Sequence, residues 1–232
     1  MKLNQLNLGA VSWSGGKDST LALYEIQNKN ILVSQLFTTI NQKYGRVAAH
    51  EVRENLLEIQ CNQLGIPLKK IYLSEKHSTQ EYDQEMNKAF IDCQNSGIET
   101  IVYGDIFLED LKQYRESELK KAHLSGEFPL WKKDSKYLLE KFIQLGFKAI
   151  LVAVNENLLD PVFLGRVLDL SFIHDLPPEV DPCGENGEYH TFVFDGPLFR
   201  KPVSFSLGEI QRRTYTRDKK EIGIHFLDLI PD

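Results

Sequence analysis

Residues 12 to 19 constrain the fold of this chain more than any other segment. They read Ser-Trp-Ser-Gly-Gly-Lys-Asp-Ser and lie between an apolar stretch and an amphipathic one. This order predicts a strand, a tight loop and a helix. Gly15 and Gly16 allow backbone N–H groups to converge on an anion, and the start of the helix adds positive potential. The segment, named the glycine loop below, therefore predicts a phosphate-binding site, to which Lys17 adds a charge and Ser19 a hydroxyl.

Two common phosphate loops do not fit this segment. The Walker A pattern requires glycine at the position of Val11 and Ser or Thr at the position of Asp18. The dinucleotide fingerprint requires three spaced glycines, whereas Gly15 and Gly16 are adjacent and no third glycine lies at helix-packing distance from them. The hexapeptide 14–19 instead resembles the PP-loop of the ATP pyrophosphatases, which cleave ATP between its α and β phosphates. The ATP-binding residues that this resemblance implies are Ser12, Trp13, Ser14, Gly15, Gly16, Lys17, Asp18, Ser19 and, further along the chain, Gly104.

The composition limits the classes of protein that this chain can belong to. Its 232 residues, of which 42% are hydrophobic, suffice for one ordinary domain with its own core and a smaller second one. A formal net charge of −6 argues against nucleic acid as a partner held by bulk charge. Three cysteines without a CxxC pair favour a reducing compartment, which for this chain is most simply the cytoplasm. The N-terminal residues 1–8 have no long apolar run and predict neither a signal peptide nor a membrane span.

Short apolar runs alternate with helical patterns along most of the chain, which predicts an α/β fold. The expected class is a Rossmann-like parallel sheet with helices on both faces, followed by a smaller C-terminal α+β domain. We predict an ATP-binding domain over residues 1–130 and a substrate-binding region over 131–232. The predicted strands of the parallel sheet are residues 8–12, 31–38, 68–73, 100–103 and 148–154, and the predicted helices are 51–64, 82–95, 107–122 and 134–145. Beyond residue 176 prolines accumulate, and alternating patterns predict strands at 190–194, 203–207 and 222–229.

Ligands of open α/β sheets bind outside the carboxyl ends of the strands. Two residue pairs at such ends carry polar side chains, Gly104-Asp105 after the fourth predicted strand and Asn155-Glu156 after the fifth. Glycine at 104 lets a nucleotide lie close to the backbone, and Asp105 can hold a ribose, Mg²⁺ or an attacking group. The alternative for Asp105 is that it caps the next helix.

Residues 181–191, named the acidic loop below, combine two glycines, three acids and a histidine. Such a loop is costly unless its polar groups are solvated or used, so it predicts a binding loop. Its acids do not follow the spacing of a calcium-binding EF-hand.

Five motifs follow the order found in the diphthine-ammonia ligase family of ATP pyrophosphatases, which this chain resembles from about residue 11 to 199. The motifs are residues 14–19, Gly104-Asp105-Ile106, Phe128-Pro129-Leu130-Trp131, Leu164-Gly165-Arg166 and 184–191. The resemblance implies a parallel sheet of the HUP type and an amidation driven by ATP. In that reaction a carboxylate is adenylated, pyrophosphate leaves and ammonia displaces AMP. ATP and Mg²⁺ are the implied cofactors, and the implied partners are ammonia and a carboxylate-bearing acceptor, with a homo-oligomer left open.

The resemblance also implies roles for individual residues. Lys17, Asp105, Glu185, Glu188 and His190 are the expected catalytic residues, and Asp18 and Asp105 the expected Mg²⁺ ligands. The expected substrate-binding residues are Glu185, Asn186, Gly187, Glu188, Tyr189, His190 and Thr191. Asn186 and His190 depart from the G-E-G-G-E-Y-E-T of the branch that amidates diphthine and are typical of a bacterial branch, which leaves the acceptor open.

Several alternatives remain open at this stage. Asp18 can fix the glycine loop, and the residues Glu185, Glu188 and His190 can fix the acidic loop, instead of acting on substrate. Arg53, Arg166 and His50 are candidates for binding an acidic substrate, and Trp13 and Trp131 for covering a ring, although all five also suit structural positions. Other functions that fit the pattern are an adenylating transferase that inserts sulfur through Cys183 and a non-catalytic nucleotide-binding module.

Overall fold

The structure is a computed structural model that describes residues 7–217 and 220–232. The N-terminal two thirds alternate strands and helices. The strands are β1 (Asn7–Ser12), β2 (Ile31–Asn41), β3 (Arg46–Val47), β4 (Leu68–Leu73), β5 (Ile98–Val102) and β6 (Ser125–Glu127). The helices between them are α1 (Lys17–Ile26), α2 (Glu54–Leu64), α3 (Thr79–Asn95) and α4 (Glu109–Lys121). The following part comprises α5 (Ser135–Gln144), β7 (Lys148–Asn155), α6 (Leu170–Asp175), β8 (Tyr189–Asp195), β9 (Phe205–Arg217) and β10 (Lys220–Pro231).

The first six strands form one sheet in which five strands are parallel. β1 pairs with β2 on one side and with β5 on the other, β4 pairs with the far side of β2, and β6 pairs with β5. The short β3 pairs antiparallel with the last residues of β2. The chain leaves β1 toward β2 and later returns to the other side of β1, so the sheet has its topological switch point between β1 and β5. The predicted Rossmann-like sheet is confirmed, and ligands of such sheets bind at this point.

The remaining four strands form a separate antiparallel sheet in the order β8, β7, β10, β9. The prediction that residues 148–154 belong to the parallel sheet is therefore wrong. β7 is buried from Ala149 to Asn155, and an unbroken buried run marks a central strand without revealing its direction. Asn155 and Glu156 consequently lie away from the ligand edge, and the Glu156 carboxylate binds the guanidinium of Arg212 at 2.6 Å.

The two sheets share one hydrophobic core. Its main cluster joins Trp13 and Leu57 of the first sheet and its helices to Phe192 and Leu229 of the second. A smaller cluster lies under α3 and α4, where the rings of Phe37 and Phe90 meet edge to face at 6.4 Å. Because the main cluster continues from α1 and α2 into β8, the acidic loop before β8 is held directly over the glycine loop.

The ends of several helices follow the predicted signals. Gly65 ends α2 in the left-handed conformation, and the Asp134 carboxylate caps α5 by accepting from the Tyr137 N–H at 2.7 Å. Two predicted starts are too early: α2 begins at Glu54 and α4 at Glu109. The adjacent lysines at 219 and 220 predict a solvated turn near the end of the chain; Lys219 lies outside the described residues, and Lys220 is the first residue of β10.

Candidate functional site

A cavity of about 310 Å³ lies at the switch point, over the carboxyl ends of β1, β2 and β5. This volume is in the range typical of small-molecule sites. Most of the residues predicted from the sequence line it: Ser12, Trp13, Ser14, Lys17, Asp18, Ser19, Gly104, Asp105, Glu185, Gly187, Tyr189, His190 and Thr191. Gly15, Gly16, Asn186 and Glu188 are not part of its lining. The fold thus brings the glycine loop and the acidic loop together in the lining of one cavity.

Gln60, a fully buried residue of α2, supports the glycine loop from the protein interior. The Gln60 amide nitrogen donates to the carbonyls of Gly15 at 2.9 Å and Val193 at 2.6 Å, and its oxygen accepts from the Trp13 indole N–H at 2.8 Å. Gly15 has φ +79°, and a Cβ there would lie 2.6 Å from a methyl carbon of Leu57. Trp13 is therefore a supporting residue whose ring is 1% exposed. Gln60 was not predicted from the sequence, where its only signal is that it is a polar residue on an apolar helix face.

Gly16 occupies the N-cap of α1 without a side-chain cap. Its N–H donates to the Ser14 hydroxyl at 3.2 Å, and its carbonyl accepts from the Ser19 hydroxyl at 3.1 Å. The first turn of α1 thus faces the cavity with its positive end, and a helix end of this kind suits an anion.

Lys17 is buried, with 4% of its surface exposed. Its ammonium donates to the Asp18 carboxylate at 2.9 Å and to the carbonyl of Cys183, and it lies 5.0 Å from the centre of the Tyr189 ring. Burial alone lowers the pKa of Lys17, but Asp18 and the other polar neighbours raise the pKa above its usual value. Lys17 therefore stays charged and links the two loops.

Asp105 follows β5 and is 7% exposed. One of its carboxylate oxygens, Oδ1, pairs with Arg115 at 2.8 Å, while Oδ2 is buried and has no hydrogen-bond partner among the described residues. Burial raises the pKa of Asp105, an effect that Arg115 opposes and the nearby Asp18 adds to. An unpartnered carboxylate oxygen near a second carboxylate fits a Mg²⁺ that also binds phosphate oxygens. Arg115, which the sequence analysis missed, sets the orientation of Asp105.

Gly104 contacts the glycine loop itself. A Cβ at this position would lie 2.7 Å from the carbonyl carbon of Asp18 and 2.9 Å from the Ser19 nitrogen. Glycine is thus required for the close approach of two backbone segments at the switch point. A side chain here would separate Asp105 from Asp18.

Glu185 of the acidic loop reaches across the cavity to the opposite wall. Its Oε1 accepts from the backbone N–H of Ile106 at 2.8 Å. Burial raises the pKa of Glu185 to about 7, and the carboxylates of Asp18 and Asp105 add to the shift. A carboxyl group with such a pKa can exchange a proton near neutral pH.

Glu188 does not face the cavity, contrary to the position expected for it. The carboxylate is 3% exposed, and its Oε1 accepts from the Asp181 N–H and from the Asn186 amide, both at 3.0 Å. Its other oxygen is buried without a hydrogen-bond partner in the described part of the chain. Gly184 and Gly187 both have positive φ, and the turns they make place Glu185 in the cavity lining and Glu188 outside it, which spacing alone does not reveal. Glu188 and Asn186 thus act on the shape of the acidic loop.

His190 and Thr191 lie near the start of β8, beside the first turn of α1. The Thr191 hydroxyl accepts from the Lys17 N–H at 3.1 Å, and its carbonyl accepts from Nδ1 of His50 at 3.0 Å. The rings of His50 and His190 lie 4.6 Å apart. Burial lowers the pKa of His50 to about 4 and that of His190 well below its usual value. Both rings are therefore neutral near pH 7.

Four other candidates lie away from the chemistry of this cavity. Arg53 binds Asp228 through two nitrogens, at 2.8 and 2.6 Å, and Arg166 binds Asp175 at 2.7 Å. Trp131 packs against Phe128 and is not part of the lining. The Cys183 thiol is buried and donates to the carbonyl of Ser135, and burial raises its pKa well above the usual value.

The described residues were also compared with the requirements of a membrane-spanning helix and of a preformed metal site. No helix among residues 7–217 and 220–232 has the length and apolar character that crossing a bilayer demands. Within the same ranges, no three His, Cys, Asp or Glu side chains converge as a ready metal site. Mg²⁺ would therefore depend on ligand oxygens besides Asp18 and Asp105.

The sheet order and the glycine loop at the switch point define a Rossmann-like α/β protein with a ligand cavity between two loops. The model of the diphthamide synthase N-terminal domain matches residues 8–124, and the model of the C-terminal domain matches residues 134–223. The chain belongs to the diphthamide synthase family. The family resemblance predicted from the motifs is thereby confirmed.

Several characterised proteins are similar to this chain. The diphthine–ammonia ligase of Bos taurus is 32% identical over 138 residues, which are 57% of this chain and 51% of that protein. The enzyme of the same name from Homo sapiens is 34% identical over 119 residues, 49% of this chain and 44% of that protein. The chain spans about half the length of the curated relatives it matches. A crystal structure of a predicted tRNA methyltransferase subunit from Methanocaldococcus jannaschii aligns at a TM-score of 0.43 with 19% identity, covering 62% of this chain and 80% of that one.

Proposed function

We propose that this protein is an ATP-dependent ligase that forms an amide from a carboxylate and ammonia and releases AMP and pyrophosphate. One observation carries the proposal: the charged Lys17 on the glycine loop and the titratable Glu185 on the acidic loop line the same cavity. The family supports it, since relatives are named diphthine–ammonia ligases.

In the proposed reaction the triphosphate binds at the glycine loop. The positive end of α1 and the Lys17 ammonium balance its charge. Asp18 and the unpartnered oxygen of Asp105 would hold Mg²⁺, which when bound screens the phosphates and polarises the α-phosphate. Lys17 must turn from the Cys183 carbonyl toward the phosphates, and this movement couples nucleotide binding to the acidic loop.

Adenylation then joins the acceptor to AMP. A carboxylate oxygen of the acceptor attacks the α-phosphorus, the bond between the α-phosphorus and the bridging oxygen breaks, and pyrophosphate leaves. Lys17 and the N–H groups of α1 stabilise the negative charge that develops on the phosphates. Because burial raises the pKa of Glu185 to about 7, this carboxyl group is partly neutral near pH 7 and repels the anionic acceptor less than a full carboxylate would.

Ammonia completes the proposed reaction. Its lone pair attacks the acyl carbon, the bond from that carbon to the AMP oxygen breaks, and the Glu185 carboxylate accepts the proton that nitrogen loses. A pKa of about 7 lets Glu185 take this proton and return it to water at neutral pH. The acceptor carries a carboxylate; Asn186 and His190 distinguish this chain from the branch that acts on diphthine.

Sulfur insertion has less support. Such chemistry needs a reactive thiolate, and Cys183 is 2% exposed with a raised pKa.

A pyrophosphate-release assay tests the proposal. Purified protein is incubated with ATP, Mg²⁺ and ammonium chloride against a panel of carboxylate metabolites and an elongation factor carrying diphthine. Pyrophosphate release that depends on one acceptor, with one amide formed per AMP, supports the ligase. Phosphate release with ADP contradicts it.

A further inference from the structure

His50 and His190 form a pair of imidazoles in the wall of the cavity, beside the glycine loop. Their ring centres lie 4.6 Å apart with planes inclined by 36°. His190 belongs to β8, whereas His50 belongs to the connection between β3 and α2. Both rings line the cavity. Two distant parts of the chain therefore deliver one imidazole each to the same place.

The chain holds His50 there at a conformational cost. Its neighbours Ala49 and Glu51 have φ angles of 62° and 57°, in the region that non-glycine residues rarely adopt. Glu51 is fixed from two sides: its carboxylate accepts from Arg213 at 2.5 Å and its carbonyl from Arg46 at 2.6 Å. Backbone hydrogen bonds close this segment into a tight turn, in which the N–H of Val47 donates to the carbonyl of Val52 at 2.9 Å and the N–H of Glu51 to that of Val47 at 3.0 Å. The turn holds the His50 backbone in a fixed conformation.

The hydrogen bonds of His50 fix its tautomer. Nδ1 lies 3.0 Å from the carbonyl oxygen of Thr191, which can only accept, so Nδ1 carries the hydrogen. Nε2 of the neutral ring then carries a lone pair. The ring packs on Gly16, where a Cβ would come within 2.6 Å of Cε1. Burial and the charge of Lys17 both lower the pKa of His50, to about 4, so the ring stays neutral.

A pair of neutral imidazoles selects ligands by hydrogen-bond type. The lone pair of Nε2 disfavours phosphate or carboxylate oxygens, and Lys17 disfavours a second cation nearby. A small neutral molecule with several N–H donors satisfies both conditions. Ammonia, the nucleophile of the proposed reaction, is such a molecule.

We propose that His50 and His190 form the ammonia subsite of this enzyme, each accepting one N–H and leaving the ammonia lone pair free for the acyl carbon. This inference rests on the proposed function. Neither imidazole takes the proton of the attack; that proton goes to the Glu185 carboxylate. His50 is thus assigned as a substrate-binding residue for ammonia, whereas the sequence predicted it only as a candidate for binding an acidic substrate.

A kinetic test separates this subsite from the nucleotide site. The exchange of labelled pyrophosphate into ATP, measured without ammonium, reports on adenylation alone. The acceptor used is one that succeeds in the pyrophosphate-release assay. His50→Leu and His190→Leu should raise the KM for ammonium at least about tenfold, and by a larger factor than they lower the rate of exchange, as expected for a lost hydrogen bond. His174→Leu, at an exposed ring outside the cavity, is the control. Loss of exchange in the two variants would overturn the assignment, whereas no exchange in the natural protein contradicts the proposed function instead.

Nuclear magnetic resonance tests the subsite without any acceptor. Protein with ¹⁵N-labelled histidine is titrated at pH 8 with ammonium chloride, and with tetramethylammonium chloride, which has no N–H donor, as the matched salt. His50→Gln and His190→Gln assign the resonances. We expect His50 as the Nδ1–H tautomer, and a saturable shift of its Nε2 and of a His190 nitrogen with ammonium chloride only. The Nε2–H tautomer, an equal response to both salts, or no response would overturn the proposal.

Discussion

The backbone N–H of Lys17 donates to the hydroxyl of Thr191 over 3.1 Å, although 174 positions separate the two residues. This bond ties the first turn of α1 to the start of β8. The Lys17 ammonium makes a second link to the acidic loop at the Cys183 carbonyl. The glycine loop and the acidic loop therefore form one unit, and a change in either is expected to affect the other.

Thr191→Val should weaken this unit without changing the size of the side chain. The variant leaves the buried Lys17 N–H without its acceptor, and an unsatisfied buried donor costs about 1–3 kcal/mol. We expect a lower free energy of unfolding in urea and weaker ATP binding by calorimetry. Thr191→Ser keeps the hydroxyl and should retain most of both. Equal behaviour of the two variants would show that this hydrogen bond is unimportant.

Lys17→Ala should abolish ATP cleavage and leave the protein folded. The ammonium supplies positive charge at the phosphates that no other lysine of the cavity lining replaces. Circular dichroism checks the fold and a pyrophosphate assay checks the turnover. Lys43→Ala, on the surface, is the matched control. Unchanged turnover in Lys17→Ala contradicts the role of the glycine loop.

Gln60→Leu should destabilise the glycine loop from below. It removes the acceptor of the Trp13 indole N–H and one donor each from the Gly15 and Val193 carbonyls, all of them buried, although the Gly15 carbonyl keeps the Val193 N–H at 2.9 Å. We expect a loss of about 1–3 kcal/mol in the free energy of unfolding, since the buried indole N–H is left without an acceptor. Asn62→Leu on the exposed face of α2 controls for helix effects. A stability equal to that of the natural protein would mean that water replaces the amide.

Amidation should depend on pH through Glu185. The carboxylate form accepts a proton, so the rate at saturating substrates should rise as pH increases through about 7 and then level off. Glu185→Gln removes this titration and lowers the rate of amide formation at least about tenfold, while nucleotide binding stays within a few-fold. A profile of Glu185→Gln with the same rise would assign the titration to another group.

Glu188→Gln should act on the acidic loop and not on the proton transfer. Its Oε1 receives two hydrogen bonds from the loop itself, which a glutamine oxygen can also accept. We therefore expect a modest fall in amidation, smaller than that of Glu185→Gln, with the pH profile retained. Measuring both profiles side by side checks this; a larger loss in Glu188→Gln would restore the direct role that the sequence suggests for it.

Local patterns predicted most of the parallel sheet and both loops. The order strand, Gly15-Gly16 and helix is encoded within a few residues, and Gly65 and Asp134 mark helix ends by their own conformational and capping chemistry. Strand direction was not accessible, because the buried run of β7 looks alike in either sheet. Nor did the sequence predict the roles of Gln60 and Arg115 or the neutral state of His50. Each of these depends on contacts that form only after the chain has folded.

Identifying the nucleotide product tests the central claim most directly. The protein is incubated with ATP, Mg²⁺, ammonium chloride and the acceptor found in the pyrophosphate-release panel, and the products are separated by ion-exchange chromatography. The account predicts AMP and pyrophosphate in equal amounts, dependent on Lys17, with one amide for each AMP. ADP and phosphate as the main products would contradict the account.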